Sequence, residues 1–327
     1  MSFRTARLDW LQGLGIAIVS AIALYANISV AQITPDGTLP NNSNVRLEGN
    51  TFNITGGSQA GSNLFHSFKD FSVTTGSTAF FNNAANIQNI ISRVTGKSIS
   101  NIDGLIKANG PANLFLINPN GIIFGENARL DIGGSFFATS ANSMKFADGF
   151  EFSAKNPQSA PLLTISVPVG LQFGANSSFI KVQGNRQGKR DFDSPIIDTQ
   201  DALRVQPGQT LALVGGDISL TGATLKTAGG RIELGSVAGN GLVSLTATNK
   251  GFALGYDGVQ NFGNIQLSQQ AIADASGEGS GDINIKTGIL SVSGDSRLYA
   301  TTNGQGSAGS IKINASNAVS FEGGGSL

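Results

Sequence analysis

The chain contains no cysteine. That excludes a disulfide framework and a thiolate metal site. Histidine occurs once, as His66 in the stretch LFHSF, and one histidine between two phenylalanines places no Ser-His-Asp arrangement. His66 therefore reads as a packed or partly exposed structural residue. Charge is scarce: 13% of the residues, with Lys+Arg and Asp+Glu equal at 21 each. No basic patch exists to release phosphate counterions, so nucleic acid is excluded as a partner. No phosphate-binding loop, dinucleotide fingerprint or zinc spacing is present, and no cofactor or metal site is expected. Hydrophobic residues still make up 40%, enough to bury a core rather than form a disordered tail.

Residues 1–31 stand apart. Arg4 and Arg7 precede an apolar run from Leu14 to Ala26, and Ser29-Val30-Ala31 puts small residues before Gln32. This three-part pattern predicts a cleavable Sec signal peptide; an uncleaved N-terminal anchor is the alternative. No later apolar segment is long enough to span a bilayer. The mature chain is expected to be exported through the periplasm and secreted or held at the cell surface.

From Gln32 onward, apolar runs of three to five residues alternate with turns rich in Gly, Asn, Asp and Ser. No sustained helical stripe appears, and Ala84 to Ile91 is the best helical candidate, weakened by asparagine and β-branched residues. Strands are expected to start near Leu114, Ile122, Arg129 and Ser135, and later near Leu211, Ile218, Thr224, Ile232 and Leu242. Three such steps bring the chain back to its starting direction after about twenty residues.

A short element recurs: GDISL at Gly216, GRIEL at Gly230, GNIQL at Gly263, GDINI at Gly281 and GSIKI at Gly309. Each is a corner glycine followed by a strand with two aliphatics on one side. The spacing is unequal, so the repeat is structural rather than a fixed sequence period. A β-sandwich would need hairpin loops, whereas the observed corners suit an all-β right-handed parallel β-helix (β-solenoid). Phenylalanine numbers 20 against three tyrosines and one tryptophan, as a dry solenoid interior would hold. At ~4.8 Å per coil the mature chain would make a rod of order 60–70 Å. The ending SFEGGGSL follows a strand signal without a polar cap, which suggests a truncated or short form of a longer rod.

The sharpest local signal is NPNG at Asn118 to Gly121, between NLFLI and IIFG. Pro119 fixes φ, Asn120 and Gly121 tolerate positive φ, and a corner is expected. Five blocks occur in order: NLFHSFKDFSV from Asn63, STAFFNN from Ser77, IISRVTG from Ile90, ANLFLINPNGIIFG from Ala112 and LDIGGSFFATSA from Leu130. Together they resemble the N-terminal secretion domain of filamentous haemagglutinin-type exoproteins, the two-partner secretion family. The resemblance is strong over Ile33 to Phe152 and fades afterwards. It implies a β-helical domain that carries an export address. Such proteins cross the inner membrane through the Sec translocon, meet an outer-membrane β-barrel transporter with periplasmic docking domains, and fold outside. It assigns the secretion motif to Asn118, Pro119, Asn120 and Gly121, followed by Ile122. A second motif of the Asn-Pro-Asn-Leu type has no match; Asn156-Pro157-Gln158 departs from it.

The expected organisation is a signal peptide over 1–31, a secretion domain over 32–174 and a continuing β-helical stalk over 175–327. The expected function is a non-enzymatic, adhesin-like exoprotein with a host, cell-surface or carbohydrate receptor. One rival is a secreted β-helix enzyme acting on polysaccharide, for which the candidates are Asp191, Asp193, Asp198 and Asp201. The plainer reading of these residues is a solvated loop. GEGSGDINI from Gly277 lacks the glycines and tandem copies of a calcium-binding repeat. A passive surface-layer protein is the third reading.

Overall fold

The computed structural model describes residues 33–186, 201–249 and 251–327; the expected leader and the KRDFDSP loop lie outside them. Every regular element among the described residues is a strand. The cause is visible in Asp282–Val292, where Asn284 separates Ile283 from Ile285 and Ser291 separates Leu290 from Val292, so buried aliphatics alternate with partly exposed polar residues on either side of a break at Thr287–Gly288. Ala84 to Ile91, the helical candidate, is a turn that runs into the strand Asn89–Val94. Its Ile90 and Ile91 are both fully buried, which suits a strand covered on both sides.

Successive coils contribute one strand to each of three faces. The first face stacks Asn63–Phe71, Asn89–Val94, Asn113–Ile117, Phe136–Thr139, Thr210–Gly215, Arg231–Ser236, Asp282–Val292 and Ile311–Phe321, all parallel. The second stacks Ser100–Ile102, Ile122–Phe124, Ile180–Gln183, Ile218–Thr221 and Asn264–Ser268 onto the end of Asp282–Val292. The third is made of Thr51–Gly56, Thr78–Phe81, Leu105–Ala108 and Arg129–Asp131, then Leu203–Arg204, Thr224–Lys226, Ile272–Asp274 and Arg297–Tyr299. This is a parallel β-helix, as the sequence predicts. Each expected strand start falls within one residue of an observed one.

The recurring glycine element now has a cause. GRIEL, GDINI and GSIKI stack on the first face, while GDISL and GNIQL stack on the second. Their unequal spacing reflects two columns read as one. At the first-face corner a Cβ on Gly281 would lie 1.9 Å from Gly230 O, and one on Gly309 would lie 2.0 Å from Gly281 O. These glycines are required by the close approach of neighbouring coils.

The leading end is closed by antiparallel pieces: Ile33–Pro35 and Ser58–Ala60 both pair with Asn63–Phe71, and Ser43–Glu48 pairs with Thr51–Gly56. At the other end, Ile311–Phe321 pairs with Asp282–Val292 alone among the described strands.

The sequence reading did not contain one large feature. Two excursions leave the corner between the first and second faces, after Thr139 and after Ser236. They form a five-stranded antiparallel sheet in the order Glu151–Ser153, Ser143–Phe146, Pro168–Phe173, Gly241–Thr248 and Gly251–Val259. This sheet lies on the outer side of the first face and creates a second core. Phe65, Phe115 and Phe137 point out of the solenoid into it, against Phe146, Phe152 and Phe252. The expectation that phenylalanine fills the solenoid interior is therefore only half correct. The rod length also needs correction. First-face rungs run Leu64, Ile90, Leu114, Phe136, Leu211, Ile232, Ile283 and Ile311. Seven steps at ~4.8 Å give about 34 Å, because the excursions withdraw residues from the stack.

Candidate functional site

NPNG is the tight corner between the first-face strand Asn113–Ile117 and the second-face strand Ile122–Phe124. Gly121 N donates to Asn118 O at 3.0 Å, closing a four-residue turn with Pro119 at its second position. Gly121 takes φ of 108°, and a Cβ there would lie 3.0 Å from Phe179 O. Asn120 keeps negative φ, so glycine alone supplies the left-handed step.

The asparagine side chains turn inward, onto the coil below. Asn118 is completely buried. Its Nδ2 donates to Ser98 O (3.1 Å) and Ser100 Oγ (2.9 Å). Its Oδ1 accepts from the N–H and Nδ2 of Asn120 (2.9 and 3.0 Å). Asn120 Nδ2 also donates to Gly96 O at 2.7 Å. The coil above is held by main-chain groups. Asn118 N donates to Thr139 O (2.9 Å), Ile122 N to Phe179 O (3.2 Å), and Ser178 Oγ to Pro119 O (2.7 Å). Thr139 is where the first excursion departs and Phe179 is where it returns. The corner is thus the seat on which that excursion begins and ends. Ile122 points inward, stacked between Ser100 and Ile180.

Two further constellations escaped the sequence reading. Asn63, Asn89 and Asn113 occupy the same outward position on three successive rungs. Asn113 Nδ2 donates to Asn89 Oδ1, and Asn89 Nδ2 to Asn63 Oδ1, both at 3.0 Å. Asn63 Nδ2 then holds Ser166 O (2.8 Å) and Thr164 O (3.2 Å) of the first excursion. The signal was present as an asparagine before each apolar pair in NLF, NII and NLF.

The second constellation surrounds Arg93, which is 1% exposed. Its Nε donates to Ser67 Oγ, one Nη to Ser153 O and the other to Thr38 Oγ1, each at 2.8 Å, and its guanidinium lies 4.1 Å from the Phe152 ring centroid. Asp36 completes the network by accepting from Ser67 Oγ (2.6 Å) and Thr95 Oγ1 (2.7 Å). Burial pushes the arginine down to about 10, and the Asp36 charge works against that shift. Burial would raise the Asp36 carboxyl, but its hydrogen bonds outweigh this and hold it below the usual carboxylate value. The leading cap, two rungs and the covering sheet all meet at this one buried cation.

The remaining candidates for chemistry are engaged structurally. His66 is buried, its Nδ1 is 2.9 Å from Ser43 Oγ, and its ring packs on Phe68 and Phe81. Burial pushes it down to about 3, so it is neutral at physiological pH. Asp201 pairs with Arg129 at 2.8 Å, whereas Asp191, Asp193 and Asp198 lie outside the described residues. Within GEGSGDINI, Asp282 pairs with Arg231 at 2.9 Å. Glu233, on the outer side of the first face, is 2% exposed and is raised to about 7 by burial, against the pull of Asn284 and Arg231.

Comparison with curated proteins returns no match. Among solved structures, the fold is similar to the crystal structure of the HMW1 secretion domain from Haemophilus influenzae. The TM-score is 0.59 at 16% sequence identity, over 89% of this chain and 65% of that one, so this chain spans just under two thirds of that structure's length. A family model described as the TPS secretion domain matches residues 31–285, well over half of the sequence. That extent, on a parallel β-helix of the same kind, settles the family: the chain belongs to the TPS secretion domain family, the export module of two-partner secretion.

Proposed function

We propose that the protein is a secreted, non-enzymatic exoprotein whose leading coils direct its own export and whose later coils form a stalk. In this reading residues 1–31 engage the Sec translocon and are removed. Residues 32–174 carry the address read by an outer-membrane β-barrel transporter with periplasmic docking domains. Residues 175–327 hold adhesive or surface-exposed segments away from the cell, towards a cell-surface or carbohydrate receptor. The observation that carries the proposal is the family match over residues 31–285, with NPNG at a coil corner inside it.

The burial of Asn118 refines how that motif acts. A completely buried amide presents nothing to a partner once the coils have wound. Asn118, Gly121 and Ile122, all buried, are therefore read in the extended chain, before winding, while Pro119 and Asn120 stay half-buried at the corner. Afterwards the same residues clamp three coils. A solenoid enzyme is the rival reading, and it is disfavoured because Asp201, Glu233 and Asp282 are each committed to arginine or asparagine partners.

The decisive experiment deletes Ile33 to Phe152 behind an intact leader. The remainder is expected to stall in the periplasm; its arrival in the medium at the wild-type level would overturn the export assignment. Asn118→Ala separates the two roles of the corner. Loss of its buried hydrogen bonds is expected to cost about 1–3 kcal/mol, while export falls further than the refolded stability accounts for. Proportional losses would leave only the structural role.

A further inference from the structure

In a plain solenoid each coil touches only its neighbours, so winding can start at the leading end and proceed coil by coil. Two leading rungs, Asn63–Phe71 and Asn89–Val94, depart from that rule. Asn63 Nδ2 donates to Thr164 O and Ser166 O, 101 and 103 residues further along. Arg93 donates to Ser153 O, 60 residues further along, and stacks on Phe152. Phe65 is fully buried, with its ring 5.0 Å from Phe152 and 5.7 Å from Phe146. Even the leading cap is tied in, since Ala160 N donates to Thr38 O. The rungs Asn113–Ile117 and Phe136–Thr139 both intervene in sequence before any of these partners is reached. Without the first excursion, Phe65 and Ile91 would stand as an uncovered apolar row, and Asn63 and Arg93 would lose those acceptors. The excursion can close by itself: Ser143–Phe146 pairs with both Glu151–Ser153 and Pro168–Phe173, and the second excursion only adds to the far margin of this trio.

We propose that residues 143–173 are a strap that sets the order of winding. The rungs at 63–71 and 89–94 do not wind ahead of the strap; they form with it as one cooperative unit. Loops of 60 to 103 residues must close before these contacts are gained. The leading end is therefore a late part of the solenoid rather than its seed. One consequence rests on the export reading above. Asn118 and Asn120 dock on Gly96, Ser98 and Ser100, just after Val94. The motif has no seat until that rung is in place, so it stays extended, and readable, until the chain has delivered Phe173.

The test is refolding of residues 32–327 from urea, without leader or transporter, followed by pulsed amide exchange and mass spectrometry. Amides of 63–71 and 89–94 are expected to gain protection no faster than those of 143–146 and 168–173. Protection of the two rungs more than twofold faster than the strap overturns the proposal. Phe152→Leu, which weakens the contacts to Phe65 and Arg93, should slow protection of both rungs at least threefold; an unchanged rate overturns the strap. Leu298→Ala, buried in the last third-face strand, should leave the rate of the rungs unchanged. An equal slowing there means that the whole chain winds as one unit and the strap sets no order. The wild-type time course decides the matter even if a variant does not fold. Protection of Asn120–Ile122 ahead of Ile90–Val94 overturns the consequence for the motif. None of these results touches the export reading, which stands or falls on secretion of the deletion variant.

Discussion

The coils before and after Glu233 share one interior and differ on one outer face. Facing in, the rungs read Leu64, Ile90, Leu114, Phe136, Leu211, Ile232, Ile283 and Ile311, aliphatic or aromatic throughout. Facing out, one residue along, they read Phe65, Ile91, Phe115, Phe137 and Ala212, then Glu233, Asn284 and Lys312. The change falls where the antiparallel sheet ends. Under the sheet an outward residue is a core residue; Glu233 at its margin is still buried, Asn284 is half-buried and Lys312 is exposed. The inward column is dictated by the solenoid alone. The outward column is dictated by what the excursions cover.

This contrast can be broken most forcefully at Phe137, which stacks 4.6 Å from Phe115 and 5.3 Å from Phe252. Phe137→Ala is expected to cost about 3–5 kcal/mol in urea unfolding. A loss near zero would mean that the sheet is a loose flap rather than half of a core. Glu233 tests the boundary itself. Its folded carboxyl is raised to about 7 from 4.5, so its contribution is full below pH 4.5 and is lost as pH rises through 7. The wild type should lose up to about 1.4 kcal/mol per pH unit across that window. Glu233→Gln should flatten the profile and be the more stable protein at pH 8; parallel profiles would show that Glu233 is already ionised in the fold. A smaller effect is expected at the corner column, where Gly281→Ala forces a methyl onto Gly230 O and should cost about 1–3 kcal/mol in thermal unfolding. Smallest of all is Lys312→Ala, in the same outward column as Phe137 but on the bare coils. It should shift stability by no more than about 0.5 kcal/mol, and a larger shift would mean that the Lys312 stem packs on the coil rather than standing in solvent.

Much of the solenoid was legible because its signals are local. A glycine corner followed by Ile-polar-Leu declares both the turn and the side facing in, and the predicted strand starts were accurate for that reason. NPNG declared a corner for the same reason, since proline and glycine act within four residues. The covering sheet was not legible. Its strands pair antiparallel across long separations, such as Leu171 with Val243, and nothing near either residue names the other. Phe115 and Phe137 look the same in sequence whether they face the interior or a second layer. Arg93 was hidden likewise: it stood in IISRVTG among buried residues, but its network draws on three distant segments, one with Asp36 and Thr38, one with Ser67 and one with Ser153. Inward asparagines at Asn118 and Asn120 also depend on a neighbouring coil that only the wound structure supplies.

Both described excursions depart from the same edge of the prism, while the Gly230, Gly281 and Gly309 column closes another. New material can therefore accumulate at that edge without altering the pitch of the winding. Residue count and stack height are then independent quantities in such a molecule: two chains of equal length can wind to very different heights, according to how much of each goes into panelling rather than into coils.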